Sequence, residues 1–148
     1  MKIRQAIQDD SEDIWYWRND AITRNMSFQT KEISKDENLD WFTSSLASKD
    51  RLLLIGFDES SKIGICRFDL STSSKIAEVS INLNPKNRGK GLSKELLTLS
   101  IKFFLSKYDN PIIARIKKQN IPSIRLFESC NFILSSQNEK DLLYEYSK

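Results

Sequence analysis

Two of the chain's four glycines, Gly89 and Gly91, fall in the segment NPKNRGKGLS at 84–93, beside Arg88 and Lys90. Glycine lets a turn take positive φ and lets backbone N–H groups approach a ligand with no Cβ in the way. The periodicity predicts a helix directly after the turn, which would aim its positive end at the same point, and the two cations add full charge. This is the make-up of a diphosphate cradle. GxxxxGK[ST] is absent, and no third glycine follows Gly91 to complete GxGxxG, so neither common nucleotide loop is present. Taken alone, the segment reads equally well as a glycine turn with solvated cations.

The 148 residues contain no histidine, which excludes Ser-His-Asp triads, Cys-His pairs and HExxH zinc sites. A base must then be a carboxylate, a lysine, a tyrosine, an ordered water or the substrate itself. Glu78 is the candidate catalytic base. In IAEVSINL at 76–83, Ala77, Val79, Ile81 and Leu83 alternate with Glu78, Ser80 and Asn82, so one strand face is apolar and the other carries one carboxylate among small polar groups. Cys66 and Cys130 are too few and too far apart for a disulfide framework or a metal knuckle; reduced core thiols and no metal are expected.

Composition fits a soluble globular protein: 39% hydrophobic, 29% charged, 10% aromatic. The length suits one domain over 1–148. The longest apolar run, 52–57, is far too short to span a bilayer, and the opening MKIRQAIQDD lacks the apolar centre of a secretory signal, so a cytoplasmic location without membrane contact is expected. A net charge of +3 is too small to suggest a nucleic-acid partner. The cations cluster, however: Lys86, Arg88, Lys90 and Lys94 in one acid-free run, Arg115, Lys117, Lys118 and Arg125 in another, both where loops lead into helices.

Positioning these groups falls to a mixed set of elements. Residues 2–8 read as a strand, and Asp9, Asp10 and Ser11 offer caps for a helix near 11–22. A second helix is predicted at 35–48. Three short runs, 52–57, 62–70 and 75–83, read as an antiparallel meander. A buried helix follows Pro85, with Leu92, Leu96, Leu99 and Phe103 at helical spacing; then come a strand at 112–116, a helix at 120–130 and strands at 132–135 and 142–146. The expected fold is α+β, a mostly antiparallel sheet of about seven strands flanked by about four helices in the order β-α-α-β-β-β-α-β-α-β-β.

At this point the sequence resembles a known family. Arg88, Gly91 and Ser93 match R/Q-x-x-G-x-G/A, the motif A signature of the GNAT superfamily of N-acetyltransferases. The segment NIPSIRLFESCNF at 120–132 is similar to the family's N-x-x-A-x-x-L-Y-E-K-x-G-F, through Asn120, Ser123, Leu126, Glu128 and Phe132. The resemblance implies acetyl-CoA as donor. It implies that Arg88, Gly89, Lys90, Gly91, Leu92 and Ser93 hold the diphosphate, that the backbone of Ile81 and Leu83 holds the pantetheine arm, and that Asn120, Ser123 and Phe127 flank it. It supports Glu78 as a base acting through water. The sequence departs from the pattern at Phe127, where the family's acid is a tyrosine; Tyr108, Ser129 or water are the substitutes on offer. Asn131 stands where the family has glycine, and asparagine also tolerates a left-handed backbone.

The resemblance places the acceptor between the first two helices, where WRND, RNMSF and LDWF occur. Arg18 and Arg24 suit an acceptor phosphate, with Met26 and Phe28 beside them. This run is similar to GNAT members acting on nucleotide-linked amino sugars, and secondarily to those acetylating protein N-termini of the ribosomal type. Asn38 occupies the place where the first group carries histidine. A small-molecule amine, best a sugar nucleotide, is the expected partner. A homodimer is compatible with the sequence, and a non-catalytic acyl-CoA-binding module is the reading from a different class.

Overall fold

The computed structural model describes residues 1–148. Its elements are β1 (Lys2–Gln5), α1 (Ser11–Asn19), α2 (Ala21–Met26), α3 (Lys35–Ala47), β2 (Arg51–Phe57), β3 (Lys62–Leu70), β4 (Ala77–Leu83), α4 (Leu92–Lys107), β5 (Ile112–Lys117), α5 (Ile121–Ser129), β6 (Phe132–Gln137) and β7 (Asp141–Tyr146). The seven strands make one sheet in the order β1-β2-β3-β4-β5-β7-β6. The α+β class and the seven-stranded, mostly antiparallel sheet agree with expectation.

The helix count does not. The helix expected near 11–22 breaks at Asp20, whose ψ of 131° leaves the helical region, and Asp20 instead caps a new helix by accepting a hydrogen bond from the Thr23 N–H. Five helices result, and the order gains one α after the first strand. The loop leading to α3 is then pinned over α1: the Asn19 amide exchanges two 2.7 Å hydrogen bonds with the Ile33 backbone, and Trp15 Nε1 donates to the same Ile33 carbonyl.

Alternation along β3 sends its side chains to both sides of the sheet. Cys66 and Phe68 join the larger core with Leu97, Ile101 and Phe104 of α4, and Phe68 stacks on Phe104 at 4.5 Å. Ile65 belongs to a second core with Ile14, Trp17 and Phe42 of α1 and α3. Helices α4 and α5 therefore cover one face, α1 and α3 the other. Both cysteines are buried free thiols, and burial pushes Cys66 up to about 12.

One seam in the sheet is short. Strands β4 and β5 run parallel and pair only through Ala77 with Ile112 and Glu78 with Ile113. On its other side β4 stays paired with β3 as far as Leu83 opposite Gly64. From Val79 onward, β4 has a neighbouring strand on one edge only.

Candidate functional site

The glycine loop is built from its asparagines upward. Asn84 caps the short 3₁₀ turn Pro85–Asn87 by accepting from Lys86 N–H, and Asn84 and Asn87 both donate to the Lys62 carbonyl, which ties the loop to the start of β3. Gly89 and Gly91 both have φ of 73°, and a Cβ at either would meet nothing within 4 Å. Gly91 is the N-cap of α4, and no side chain caps that helix. The first amides of a helix lack internal partners, so the start of α4 presents free N–H donors, at Leu92 and Ser93 among others, next to the open space beside the two glycines.

The Arg88 side chain is engaged by α2 instead. Its Nη2 is ion-paired with the Asp20 carboxylate and donates to Thr23 Oγ1 at 2.7 Å. The hydrogen bond from Arg88 is the main cause holding the Asp20 carboxyl below its ordinary value. The side chain expected to grip a diphosphate instead locks the loop to the first turn of α2. Lys90 stays exposed beside the helix start.

A cavity of about 320 Å³ fills the space between the diverging β4 and β5. Glu78, Ser80, Ile81 and Asn82 line it from β4, with Arg115 and Lys117 from β5 and Asn120, Ser123 and Phe127 from α5. Leu83 lies beyond it, toward the glycine loop. Glu78 sits where the strands part, its Oε1 accepting from Arg115 Nε at 3.1 Å. Asn120 caps α5 by accepting from the Ser123 N–H and donates to the Met26 carbonyl, while Gln119 Nε2 donates to the Asn25 carbonyl. The end of α2 is thereby hooked across the cavity to the start of α5.

Phe127 is buried and meets Phe132 edge-on at 4.9 Å. It brings no hydroxyl to the cavity. Neither substitute acid from the sequence lies there: Tyr108 stacks on Phe104 at the end of α4, and Ser129 donates to the Leu126 carbonyl on the exposed side of α5. The hydroxyls that do line the cavity belong to Thr23, Ser27, Ser80 and Ser123. Asn131 has φ of 68°, the left-handed backbone that the family's glycine would take.

The opposite wall carries Arg18, Met26, Phe28, Trp41 and Arg67. Arg18 Nη1 donates to Asn38 Oδ1 at 3.0 Å, and its guanidinium lies 4.2 Å from the centre of the Trp41 ring. Burial pushes Arg18 down to about 10, with the Arg67 charge adding to the effect. Arg24, expected beside Arg18, is turned away: it donates to the Asn19 and Thr30 carbonyls, lies 3.8 Å from Glu32 and does not line the cavity. The partner that the fold gives Arg18 is Arg67, which the sequence reading passed over. The available signal was its place on β3, two residues after Ile65 and on the same face.

No group of three or more His, Cys, Asp or Glu side chains is arranged to hold a metal ion, and no helix is long and apolar enough to cross a membrane.

The GNAT acetyltransferase domain family matches residues 1–133. The chain belongs to the GNAT family. Among its relatives, YwnH of Bacillus subtilis (strain 168), provisionally named a phosphinothricin acetyltransferase, is 27% identical over 138 residues, covering 89% of this chain and 83% of that one. An N-acetyltransferase from Staphylococcus aureus Mu50 is 25% identical, with a TM-score of 0.81 over 97% of this chain and 96% of that one. Spermidine N-acetyltransferase from Vibrio cholerae, solved with CoA and spermine, shares the fold at a TM-score of 0.85 and 16% identity, over 97% and 92% of the two chains. This GNAT protein is an N-acetyltransferase with acetyl-CoA as its donor. Its residues fit that donor: the uncapped start of α4 suits the diphosphate, the two open glycines leave room for it, and the free edge of β4 suits the amides of a pantetheine arm.

Proposed function

We propose that residues 1–148 form a single cytoplasmic N-acetyltransferase domain that moves acetyl from acetyl-CoA to a primary amine by direct attack on the thioester. The observation that carries this reading is the cavity at the β4/β5 opening, which has Glu78 on its wall, while β4 leads on through the glycine loop to the uncapped start of α4. In this reading the backbone N–H groups from Gly89 to Ser93 hold the diphosphate, with Lys90 adding charge. Arg88 fixes the loop through Asp20. The backbone of Ile81 and Leu83 pairs with pantetheine, while Asn120, Ser123 and Phe127 flank the arm.

Bound acetyl-CoA supplies an activated acyl group. Glu78, oriented by Arg115, would accept one proton from the acceptor ammonium through a water, leaving a neutral amine whose nitrogen bonds the carbonyl carbon as the C–S bond breaks and whose second proton passes to the departing sulfur. The leaving sulfur departs with the electron pair as thiolate. A thiol pKa near 8.5 makes that departure feasible without a strong acid; Ser123 is one of the hydroxyls that line the cavity.

The finer reading of the acceptor is a nucleotide-linked amino sugar. It is supported by the cationic wall of Arg18 and Arg67. A second reading, a non-catalytic acyl-CoA-binding module, is favoured by Phe127 and by the engagement of Glu78 with Arg115. Glu78→Gln separates the two readings. Turnover, followed as release of CoA thiol with an amine panel, is expected to fall about 10²- to 10⁴-fold while CoA affinity stays unchanged. Unchanged turnover would remove Glu78 from the mechanism, and its absence in the parent would favour the module.

A further inference from the structure

We propose that Arg18 and Arg67, set against the face of Trp41, form a subsite for an oxyanion on the acceptor, so that the amine acetylated also carries a carboxylate or phosphate group. The inference rests on the acetyltransferase reading above and specifies the acceptor it would take.

The ion pairs around the cavity point to this pair. Four cations line the cavity, Arg18, Arg67, Arg115 and Lys117, against one carboxylate, Glu78. Arg115 is matched by Glu78. Arg67 shares a single carboxylate, Asp69, with Arg51: Arg67 Nε lies 3.2 Å from Asp69 Oδ2 and Arg51 Nε 3.3 Å from Oδ1. The Arg67 contact is out of line for a hydrogen bond, and Arg67 Nε is a buried donor with no partner. Arg18 has no carboxylate at all. Its side-chain hydrogen bond goes to Asn38, a neutral amide.

Asn38 explains how the charge survives. Its side chain is buried, and its NH₂ donates to the Ser11 carbonyl and hydroxyl at 3.0 and 3.3 Å, which turns Oδ1 toward Arg18. An amide held this way orients the guanidinium without neutralising it, as an aspartate in its place would. Four of the five Arg18 N–H donors remain free, enough for the bidentate grip that guanidinium makes with carboxylate or phosphate.

Trp41 supplies the floor. Arg18 and Arg67 lie 4.2 and 5.5 Å from its ring centre, with Arg51 farther out at 5.8 Å, so the indole gathers like charges in a partly desolvated place. That juxtaposition is unfavourable in the free protein, and an oxyanion between the two guanidinia reverses its sign. The same wall repels a polycation. A polyamine, which the Vibrio cholerae neighbour acts on, is thus the wrong charge type for this cavity.

Matched pairs of amines test the subsite by calorimetry on the CoA-saturated protein: glucosamine 1-phosphate against glucosamine, and L-alanine against L-alaninamide, with spermidine as the cationic control. The oxyanion member of at least one pair is expected to bind about 10- to 100-fold tighter, the worth of a charged hydrogen bond, and the pair that shows it identifies phosphate or carboxylate as the group recognised. Arg18→Gln, which keeps a donor for Asn38, and Arg67→Gln are each expected to bring the ratio near one. Equal binding within both pairs, no binding of either oxyanion probe, tightest binding of spermidine, or a ratio that survives Arg18→Gln would each overturn the proposal. CoA-thiol release, measured alongside, keeps the two readings apart. Selective oxyanion binding without release from any amine would refute the acetyltransferase reading and leave the subsite standing.

Discussion

Gly91→Ala separates the stability of the glycine loop from its use. At φ 73° and ψ 12° an alanine takes a left-handed backbone, which costs about 1–2 kcal/mol. A Cβ there meets nothing within 4 Å, so no steric cost is added. For a domain near this size the ligand-free melting temperature should fall by about 2–8 °C. The effect on binding is different in kind, because the new methyl sits among the N–H donors that must close on the diphosphate. Weakening one charged hydrogen bond by about 2 kcal/mol raises Kd about 30-fold. Acetyl-CoA at about 100 times the parent's Kd stabilises the parent by about 2.7 kcal/mol, or about 5–10 °C. At the same concentration the variant gains only about 0.9 kcal/mol, or about 2–4 °C. Thermal unfolding of both proteins with and without ligand decides the matter. A variant with a lowered ligand-free midpoint but an undiminished ligand shift would refute the placing of the diphosphate at α4.

Three further outcomes are expected. Phe127→Tyr should raise turnover about tenfold with CoA affinity unchanged, since it restores a proton donor on the cavity wall; an unaltered pH–rate profile would show that the thiolate leaves without one. Asp20→Asn keeps the cap of α2 but removes the charge facing Arg88, so stability should drop by at most about 1 kcal/mol while acetyl-CoA binding weakens a few-fold in calorimetry. Tighter binding would show instead that a released Arg88 joins the diphosphate. The third concerns acid. Burial pushes Asp10 upward, but hydrogen bonds from Arg4, the Ile7 N–H and Lys62 outweigh it and hold the carboxyl at about 2 against an ordinary 3.8. A lowered folded-state value stabilises above the unfolded value and is lost as pH falls, so about 2 kcal/mol should disappear between about pH 4 and pH 2. Denaturant titrations across that window should show a steep limb in the parent and a flatter one in Asp10→Asn.

What could be read from the sequence was what local spacing encodes. The alternation of 77–83 located the strand and its single carboxylate, and Gly89 and Gly91 marked the turn because few other residues take that backbone. Asp20 announced the break of the first helix, an N-cap three residues before Thr23, yet the helical pattern across it was continuous enough to hide it. Contacts between distant segments were not legible. Arg88 finds Asp20 68 positions away, and nothing near Arg88 distinguishes a side chain that grips a ligand from one that clamps a neighbouring helix. Arg67 looked like an ordinary strand cation because its meaning comes from Arg18 and Trp41, which approach it only once α1 and α3 pack on β3. Arg18 and Arg24 seemed equivalent by spacing, and the α2 turn sends them to opposite sides.

The two-residue seam between β4 and β5 makes the sheet resemble a book bound along one face. The larger core crosses the seam beneath α4 and α5 and holds both leaves, while on the other face hooks from Asn120 and Gln119 reach across to α2. Breathing of the free protein should therefore widen the mouth and leave the spine intact. A donor lying along β4 acts as a missing strand, so its tightening effect should travel to the outer strands of both leaves, and amide exchange should slow at positions that the ligand never touches.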